Sequence, residues 1–286
     1  MLLEGFGRGL VVEPYHSTIV LGAETIALAG RVDQKKSLLE KIAEGKKLIS
    51  FAHTEPRSRF NLQHVELTAT KDGESYKLNG EKAVVHNAET ADLIIVSART
   101  SGDIKDDDGI TLFLVDPKTE GLEFRSYPTI DGLRASELSF DSVVVDSEQL
   151  LGGLNTGLNV LERVIDRASV LLCAEAAGAM DTAVKLTVDY IKNREQFGQP
   201  IGAFQVLQHR SVEMLGAKDF SRALTYRAAG LIDEGSPNDR ARAVSAAKVE
   251  AGLGGKLIGQ EGVQLHGGMG ICLLYTSDAA DERSSV

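Results

Sequence analysis

The sequence contains 286 residues, 43% of them hydrophobic, which is enough for two domains with buried cores. The 31 Lys and Arg residues against 41 Asp and Glu give a formal net charge of −10, which argues against a nucleic-acid-binding surface. The two cysteines provide neither a disulfide framework nor a metal cluster, and neither a signal peptide nor a membrane span stands out, so we expect a soluble protein of the cytoplasm without stable membrane insertion.

The first 45 residues carry two helical patterns. Apolar residues recur at helical spacing from Leu10 to Val20 and again from Leu38 to Ile42, and Gly30 is a helix stop between them. The sequence therefore predicts two helices ahead of the first strand.

From about Lys47 to Leu151 the pattern changes to period two. The dipeptides Asp72-Gly73 and Asn79-Gly80 are hairpin signals, and the runs 93–98 and 110–115 are typical of buried strands. The acidic stretch between those two runs lacks the ligand spacing of a calcium loop, so we interpret it as a solvated hairpin tip. An antiparallel β-domain follows from this pattern.

The chain is predicted to be helical from about Leu154 onward. Ser236 and Pro237 form a helix start, with an N-cap hydroxyl and a proline in the first turn. The helix that follows is rich in alanine and glycine, which lets neighbouring helices approach closely. We therefore expect an antiparallel helical bundle.

Two long helical patterns of this part are separated by the segment 193–209, in which Gly198 and Pro200 force a break. Beside the start of the second helix, the break gathers a cation, two amides and an aromatic ring: Arg194, Gln196, Gln205 and Phe197. This set suits an anionic ligand that carries a flat ring, such as a nucleotide. The alternative is an ordinary corner between helices, with Phe197 in the core and Arg194 solvated.

Five motifs, in order along the chain, resemble those of the acyl-CoA dehydrogenase family. They are His53-Thr-Glu-Pro56, Leu78-Asn-Gly-Glu-Lys82, Leu138-Ser-Phe-Asp-Ser-Val-Val-Val145, Arg194-x-Gln-Phe-Gly198 with Phe204-Gln205, and Gln264-Leu-His-Gly-Gly-Met-Gly270. Among the subfamilies, the chain looks most like the small subunits of pimeloyl-CoA-type dehydrogenases. The resemblance runs to about Ile271 and so covers nearly all of the chain.

The resemblance implies a multi-domain α+β fold of the acyl-CoA dehydrogenase type. Its parts are a helical N-terminal remnant over residues 1–45, an antiparallel β-barrel-like middle domain over 46–153, and an incomplete C-terminal helical bundle over 154–271. Residues 272–286 resemble the translation of a transposase adaptor used in sequencing libraries, so we expect an artefactual tail. We also expect the chain to be a fragment that lacks helices at its front.

The resemblance further implies FAD-dependent dehydrogenation of an acyl-CoA thioester at the α,β bond, which yields the trans-2-enoyl-CoA. The electrons then pass to electron-transferring flavoprotein. At the flavin, the resemblance implies contacts from His53 and Thr54 at the ring edge, and from Val84 and His86 where the family has a tryptophan and a threonine.

Around the pyrophosphate and adenosine, the implied contacts are Arg194, Gln196, Phe197 and Gln205. Three further residues, Gln264, Gly267 and Gly268, would reach the cofactor of a neighbouring subunit. We therefore expect a homo- or hetero-oligomer, a dimer of dimers.

For the substrate, the resemblance places Phe60 where the family has a serine, and it matches Asp166 to an acidic residue near the substrate. The proton-abstracting glutamate of most members follows the Gly267–Gly270 segment, and a minority carry it beside the position of Ala168. We therefore assign no catalytic residue to this chain, and we expect residues 1–286 to lack dehydrogenase activity.

Two other functions are consistent with the same fold. One is an acyl-CoA oxidase or a flavin-dependent monooxygenase, which differs from a dehydrogenase in how oxygen reaches the flavin. The other is a non-catalytic flavoprotein subunit that supports a paired dehydrogenase.

Overall fold

The computed structural model describes residues 1–271, with the side chain of Ile271 excepted, and the predicted artefactual tail lies outside the described residues. The chain forms two compact units. The sheet unit is Val12–Ala168, and the helical unit combines Met1–Val11 with the described residues from Ser169 to 271. Of the segment 1–45, which the sequence assigned to one helical remnant, only the first 11 residues group with the later helices.

Four helical elements precede the sheet: α1 (Leu2–Gly9), a π-helix (His16–Ala23), α2 (Glu24–Ala29) and α3 (Val32–Ala43). The predicted stop at Gly30 is confirmed, because Gly30 follows the last residue of α2. The predicted helix beginning at Leu10 is wrong. Leu10 is the left-handed C-cap of α1, with φ 48°, and Pro14 separates it from the π-helix.

The sheet has eight strands: β1 (Ile49–Ala52), β2 (Thr68–Asp72), β3 (Ser75–His86), β4 (Leu93–Arg99), β5 (Ile110–Val115), β6 (Leu122–Pro128), β7 (Arg134–Asp146) and β8 (Leu150–Leu151). Their order is β6-β7-β3-β2-β4-β5-β8, and β1 also pairs with β4. Most pairings are antiparallel, as predicted, but β1 and β2 both run parallel to β4. Parallel pairing needs long connections, which the segments between these strands provide. The barrel-like sheet is not closed: over the described residues it is open, with β6 and β8 at its ends.

The two hairpin signals have different outcomes. Asp72 pairs with Ser75 across a two-residue loop in which Gly73 has φ 62°, so the first hairpin is confirmed. Asn79 and Gly80 instead continue through β3, at a register shift against β7, so the second predicted hairpin is wrong. Gly80 is needed there because a Cβ atom would lie 2.8 Å from the Cα atom of Leu67, and because its φ is 137°.

The main core cluster of the sheet unit is built from apolar residues of these strands, and β4 and β5 are buried on both faces. The predicted buried strands are confirmed as β4 and β5, where Ile94, Val96 and Phe113 are fully buried. Burying a side chain of this size contributes about 1.5–3 kcal/mol, so these two strands anchor the unit.

The remaining elements are α4 (Gly157–Asn193), the two-residue strands β9 (Glu195–Gln196) and β10 (Gln199–Pro200), α5 (Gln205–Leu231), α6 (Pro237–Leu265) and α7 (Gly268–Ile271). The predicted start of α6 is confirmed, since the Ser236 hydroxyl accepts a hydrogen bond from the Asp239 amide at 3.2 Å. The expected close helix packing is confirmed at Gly254, where a Cβ atom would lie 2.6 Å from the Ser221 hydroxyl of α5. None of the described helices combines the length and apolar character required of a transmembrane span.

A charge network ties α1 into the helical unit. Glu4 is buried and accepts hydrogen bonds from Arg222 at 3.2 Å and from Arg8 at 3.4 Å. Arg8 also pairs with Asp181 of α4 at 3.2 Å, and Lys185 reaches the same carboxylate at 2.9 Å. A buried carboxylate is stable only when its oxygens are paired, which this arrangement achieves.

Candidate functional site

In the sheet unit, the loop after β1 carries His53 and Thr54. The His53 ring is half-buried, contacts the edge of Phe51 with ring centroids 5.4 Å apart, and lies with its Nδ1 atom 3.3 Å from the Thr54 hydroxyl. The Thr54 carbonyl accepts a hydrogen bond from the Ala83 amide at 2.8 Å. This bond places the loop beside the part of β3 that carries Val84 and His86.

A β-bulge turns Val84 outward from β3. The register against β7 slips between Lys82 and Val85, and Val84 has φ 53°, a left-handed value that is rare for a β-branched residue. Its side chain is 46% exposed, whereas that of Val85 is buried. Backbone strain of this kind costs about 1–3 kcal/mol and is typical of functional sites. The role of Val84 as an apolar cover stays a prediction.

Burial and neighbouring charges favour neutral imidazoles in this region. Burial, together with the Lys82 and His86 charges, lowers the pKa of His53 to about 4. Burial also lowers the pKa of His16, on the π-helix, with a further contribution from His86. The Nε2 atom of His16 is buried and has no hydrogen-bond partner among the described residues. His16 belongs to no recognisable motif, so it could not be singled out from the sequence.

A buried ion pair, like His16, was not predicted from the sequence. Lys82 of β3 is fully buried, and its Nζ atom lies 2.7 Å from a carboxylate oxygen of Glu55, which directly follows Thr54. The alternation of β3 could have predicted the burial of Lys82. Side chains two residues apart in a strand point to the same face, and Lys82 lies at an even spacing from the inward-facing Tyr76 and Leu78.

In the helical unit, the predicted break between α4 and α5 is confirmed and contains a small hairpin. Gln196 pairs with Gln199, so that Phe197 and Gly198 form a two-residue loop with φ 56° and 78°. Positive φ at both positions is characteristic of a type I′ turn. The ring of Phe197 is 88% exposed and meets Phe204 edge-on at 6.0 Å, so the alternative that buries Phe197 in a helix corner is wrong.

The segment Gln264–Gly268 lies near this hairpin. The His266 ring stacks on Tyr190 of α4 at 4.3 Å, and the Tyr190 hydroxyl donates to the His266 carbonyl at 3.3 Å. Both rings line an open cavity of about 560 Å³, together with Arg194, which directly follows α4, and three further residues of α4 itself. The Arg194 side chain is exposed and forms no ion pair with any described residue. Two segments about 70 residues apart therefore open onto one concave surface.

Four predicted site residues remain, two in each unit. Gln196 is exposed and donates to the neighbouring Glu195 carbonyl at 2.7 Å, and Gln205 is exposed at the first position of α5. In the sheet unit, Phe60 is fully exposed in the loop after β1, and Asp166 is half-buried on α4. The cofactor and substrate roles of these four residues stay predictions.

Comparison with known proteins decides the family. Residues 50–143 match the family model "Acyl-CoA dehydrogenase, middle domain", and residues 155–284 match "Acyl-CoA dehydrogenase, C-terminal domain". The 3-(aryl)acrylate reductase of Clostridium sporogenes is 33% identical over 90% of this chain and 67% of its own length. The mitochondrial short-chain specific acyl-CoA dehydrogenase of Homo sapiens is 30% identical over 98% of this chain and 68% of its own length. The chain belongs to the acyl-CoA dehydrogenase family.

Solved structures of related proteins agree with this acyl-CoA dehydrogenase fold. Butyryl-CoA dehydrogenase from Megasphaera elsdenii is similar with a TM-score of 0.85 and 29% identity, over 95% of this chain and 70% of that one. An FAD complex of PigA has a TM-score of 0.89 and 25% identity, over 95% of this chain and 72% of that one. A chain of the structure described as "Electron transferring flavoprotein of Acidaminococcus fermentans" has a TM-score of 0.86 and 30% identity, over 94% of this chain and 72% of that one. The predicted family and fold class are thus confirmed.

Proposed function

We propose that this protein is an FAD-dependent dehydrogenase that converts an acyl-CoA thioester into the trans-2-enoyl-CoA. One observation carries the proposal: in the helical unit of this family member, Arg194 and His266 of the Gln264–Gly268 segment line the same open cavity. A cation beside a segment that contains two glycines suits a dinucleotide with a pyrophosphate.

The residues of the helical unit fit such a cofactor. The exposed guanidinium of Arg194 can donate charge-assisted hydrogen bonds to phosphate oxygens. The ring of Phe197 projects from its turn with most of its surface open, as a stacking partner for adenine must. Gly267 has φ 61°, and a Cβ atom at Gly267 or Gly268 would meet open space, so the backbone there can approach a ligand. Gln196 and Gln205 supply amides from exposed positions.

The residues of the sheet unit fit the flavin end. When bound, FAD supplies the two-electron acceptor for the hydride that leaves the β-carbon of the substrate. His53, Thr54 and His86 offer hydrogen-bonding groups from segments that are fixed by backbone contacts, and the imidazole of His53 is neutral near pH 7 because its pKa is about 4. Preorganised donors of this type stabilise charge that develops during reaction. Val84 excludes water from the same edge by apolar contact.

At the substrate end, we assign contacts to Phe60 and Asp166 and leave the proton-abstracting group unassigned. Ala168 is buried on α4, and a minority of the family carry the glutamate base beside this position. A general base contributes about 10²–10⁴-fold to such a proton transfer. Within residues 1–271, Asp166 is the first alternative to test.

The proposed partners are an acyl-CoA thioester and electron-transferring flavoprotein. A related chain occurs in a structure described by that flavoprotein's name, and this supports the second assignment. We also propose an oligomer in which the Gln264–Gly268 segment serves the cofactor of a neighbouring subunit. The cytoplasmic location stays a prediction from composition.

The test is to purify the chain, titrate it with FAD, and add acyl-CoA thioesters of several chain lengths without oxygen. We expect saturable FAD binding and a perturbed flavin spectrum on thioester addition, without bleaching at an enzymatic rate, because no proton-abstracting group is assigned within residues 1–271. A folded protein that binds no FAD would refute the proposal. Rapid bleaching would show that residues 1–271 contain a sufficient base, and Asp166→Asn would then be the next variant.

A further inference from the structure

The buried ion pair of the sheet unit connects three separate parts of the chain. The Nζ atom of Lys82 donates to Glu55 at 2.7 Å and to the Ser97 hydroxyl of β4 at 3.0 Å. The Glu55 carboxylate accepts two further hydrogen bonds, from the Glu66 amide at 2.6 Å and the Leu67 amide at 3.1 Å. The carboxylate is therefore bound on both oxygens, and its loop is closed onto the start of β2.

Stability alone does not account for this pair. The Lys82 and Glu55 side chains are 0% and 2% exposed, so both charges are removed from water at a cost of several kcal/mol each. Apolar residues of similar volume often replace such pairs with no loss of stability. What the pair adds over an apolar contact is a fixed distance and direction between two chain segments.

The two segments are the ones on which the candidate flavin-edge groups lie. Glu55 directly follows His53 and Thr54, and Lys82 precedes the bulge that turns Val84 outward. The hydrogen bond from the Ala83 amide to the Thr54 carbonyl runs alongside the ion pair at 2.8 Å. A shift of the pair would move both segments against each other.

We propose that Glu55 and Lys82 are positioning residues, which hold the His53–Thr54 segment and the Val84–His86 segment at the separation that flavin binding requires. This inference rests on the proposed function, since it assigns a role toward the same cofactor. The pair does not touch the reacting atoms, and it acts through the backbone of the residues beside it. A displacement of about 1 Å at such a site is enough to weaken function strongly.

The test uses the double variant Glu55→Gln with Lys82→Met, which removes both charges together. The glutamine keeps one amide oxygen to accept from the Leu67 amide, while the hydrogen bond from the Glu66 amide is lost. Single variants would leave one buried charge unpaired and risk unfolding. The matched control is Asp72→Asn with Lys77→Met, which removes an exposed ion pair of the same 2.7 Å length from the β2–β3 hairpin. FAD affinity is measured by quenching of flavin fluorescence, and folding by thermal denaturation.

We expect the double variant to keep its Tm within a few degrees and to bind FAD at least tenfold more weakly, while the control binds FAD normally. We also expect the His53 imidazole proton resonance to titrate closer to its ordinary pKa in the double variant, because the Lys82 charge is gone and the loop is less closely packed. A folded double variant with unchanged FAD affinity would overturn the proposal.

A second variant covers the case in which the double variant does not fold. Glu55→Asp keeps the charge but shortens its reach by one methylene, so we expect a folded protein with weaker FAD binding, and normal binding would count against positioning. If the unmodified chain binds no FAD, the proposed function fails by itself. The positioning role is then decided by the His53 resonance, and an unchanged titration in the double variant or in Glu55→Asp would overturn it.

Discussion

Replacing Phe197 with asparagine should change stability and cofactor affinity in opposite directions. Phe197 occupies the first position of a two-residue hairpin loop, with φ 56°, and Gly198 follows with φ 78°. Asparagine followed by glycine is the preferred sequence for this turn, because asparagine tolerates the left-handed conformation. The presence of phenylalanine at a strained and exposed position indicates a role other than folding.

The magnitude follows from the surroundings of the ring. A residue other than glycine or asparagine in the left-handed region costs about 1–2 kcal/mol, which Phe197→Asn would recover. The ring is 88% exposed, so little buried area is lost, and the edge-on contact with Phe204 is worth about 0.5–1.5 kcal/mol. The net gain is about 0.5 kcal/mol, or about 1–2 °C in Tm. Loss of a base-stacking partner costs about 1–3 kcal/mol, equivalent to roughly 5–150-fold in the Kd for FAD.

The assay compares thermal denaturation without cofactor and FAD titration for the unmodified chain and the variant. Leu10→Asn is the matched control, because Leu10 has φ 48°, is 74% exposed, and lies at the end of α1 without a predicted cofactor role. The control should gain stability and bind FAD normally. Unchanged FAD affinity in Phe197→Asn would remove the ring from the site, and a lower Tm would refute the strain argument.

Three further variants test separate groups. Arg194→Ala should weaken FAD binding by about 1.5–3 kcal/mol, measured as flavin absorbance retained after gel filtration, and full retention would leave Arg194 as a solvated side chain. Hydrogen bonds from Lys185 and Arg8 lower the pKa of Asp181 from 3.8 to about 2. The variant Asp181→Asn should therefore lose on the order of 1 kcal/mol of unfolding free energy at pH 7 and nothing near pH 2, as measured by urea denaturation. Burial lowers the pKa of His53 from 6.5 to about 4, so stability should fall as pH falls between these values, and His53→Gln should flatten that slope.

Local patterns predicted the parts of the fold that depend on neighbours in sequence. The buried strands β4 and β5, the hairpin at Gly73 and the cap at Ser236 are each specified by a few adjacent residues, and the structure confirms them. Family resemblance, not periodicity, supplied the candidate site. The exposed turn at Phe197 could not be derived from spacing alone, because a phenylalanine near two helices is as consistent with a core position.

The errors and omissions arise where a distant segment decides the local conformation. The dipeptide Asn79-Gly80 has the composition of a hairpin turn, yet the approach of Leu67 requires glycine inside a continuous strand. The pair of Glu55 and Lys82 joins residues 27 positions apart, and a lysine beside a glutamate in a strand is usually solvated. Neither feature has a local signature, because each depends on how the loop 53–67 returns to the sheet.

The bulge in β3 links these long-range contacts to the candidate site. Counted in twos from Tyr76, the inward positions of the strand include Leu78 and Lys82 and would next include Val84. The extra residue between Lys82 and Val85 reverses the phase, so that Val85 is buried and Val84 faces outward. Without the bulge, Lys82 would still pair with Glu55, but Val84 would enter the core and could not serve as the proposed apolar cover of a flavin. The strain at Val84 is therefore explained as the local consequence of presenting an apolar side chain at a position where the strand would otherwise bury it.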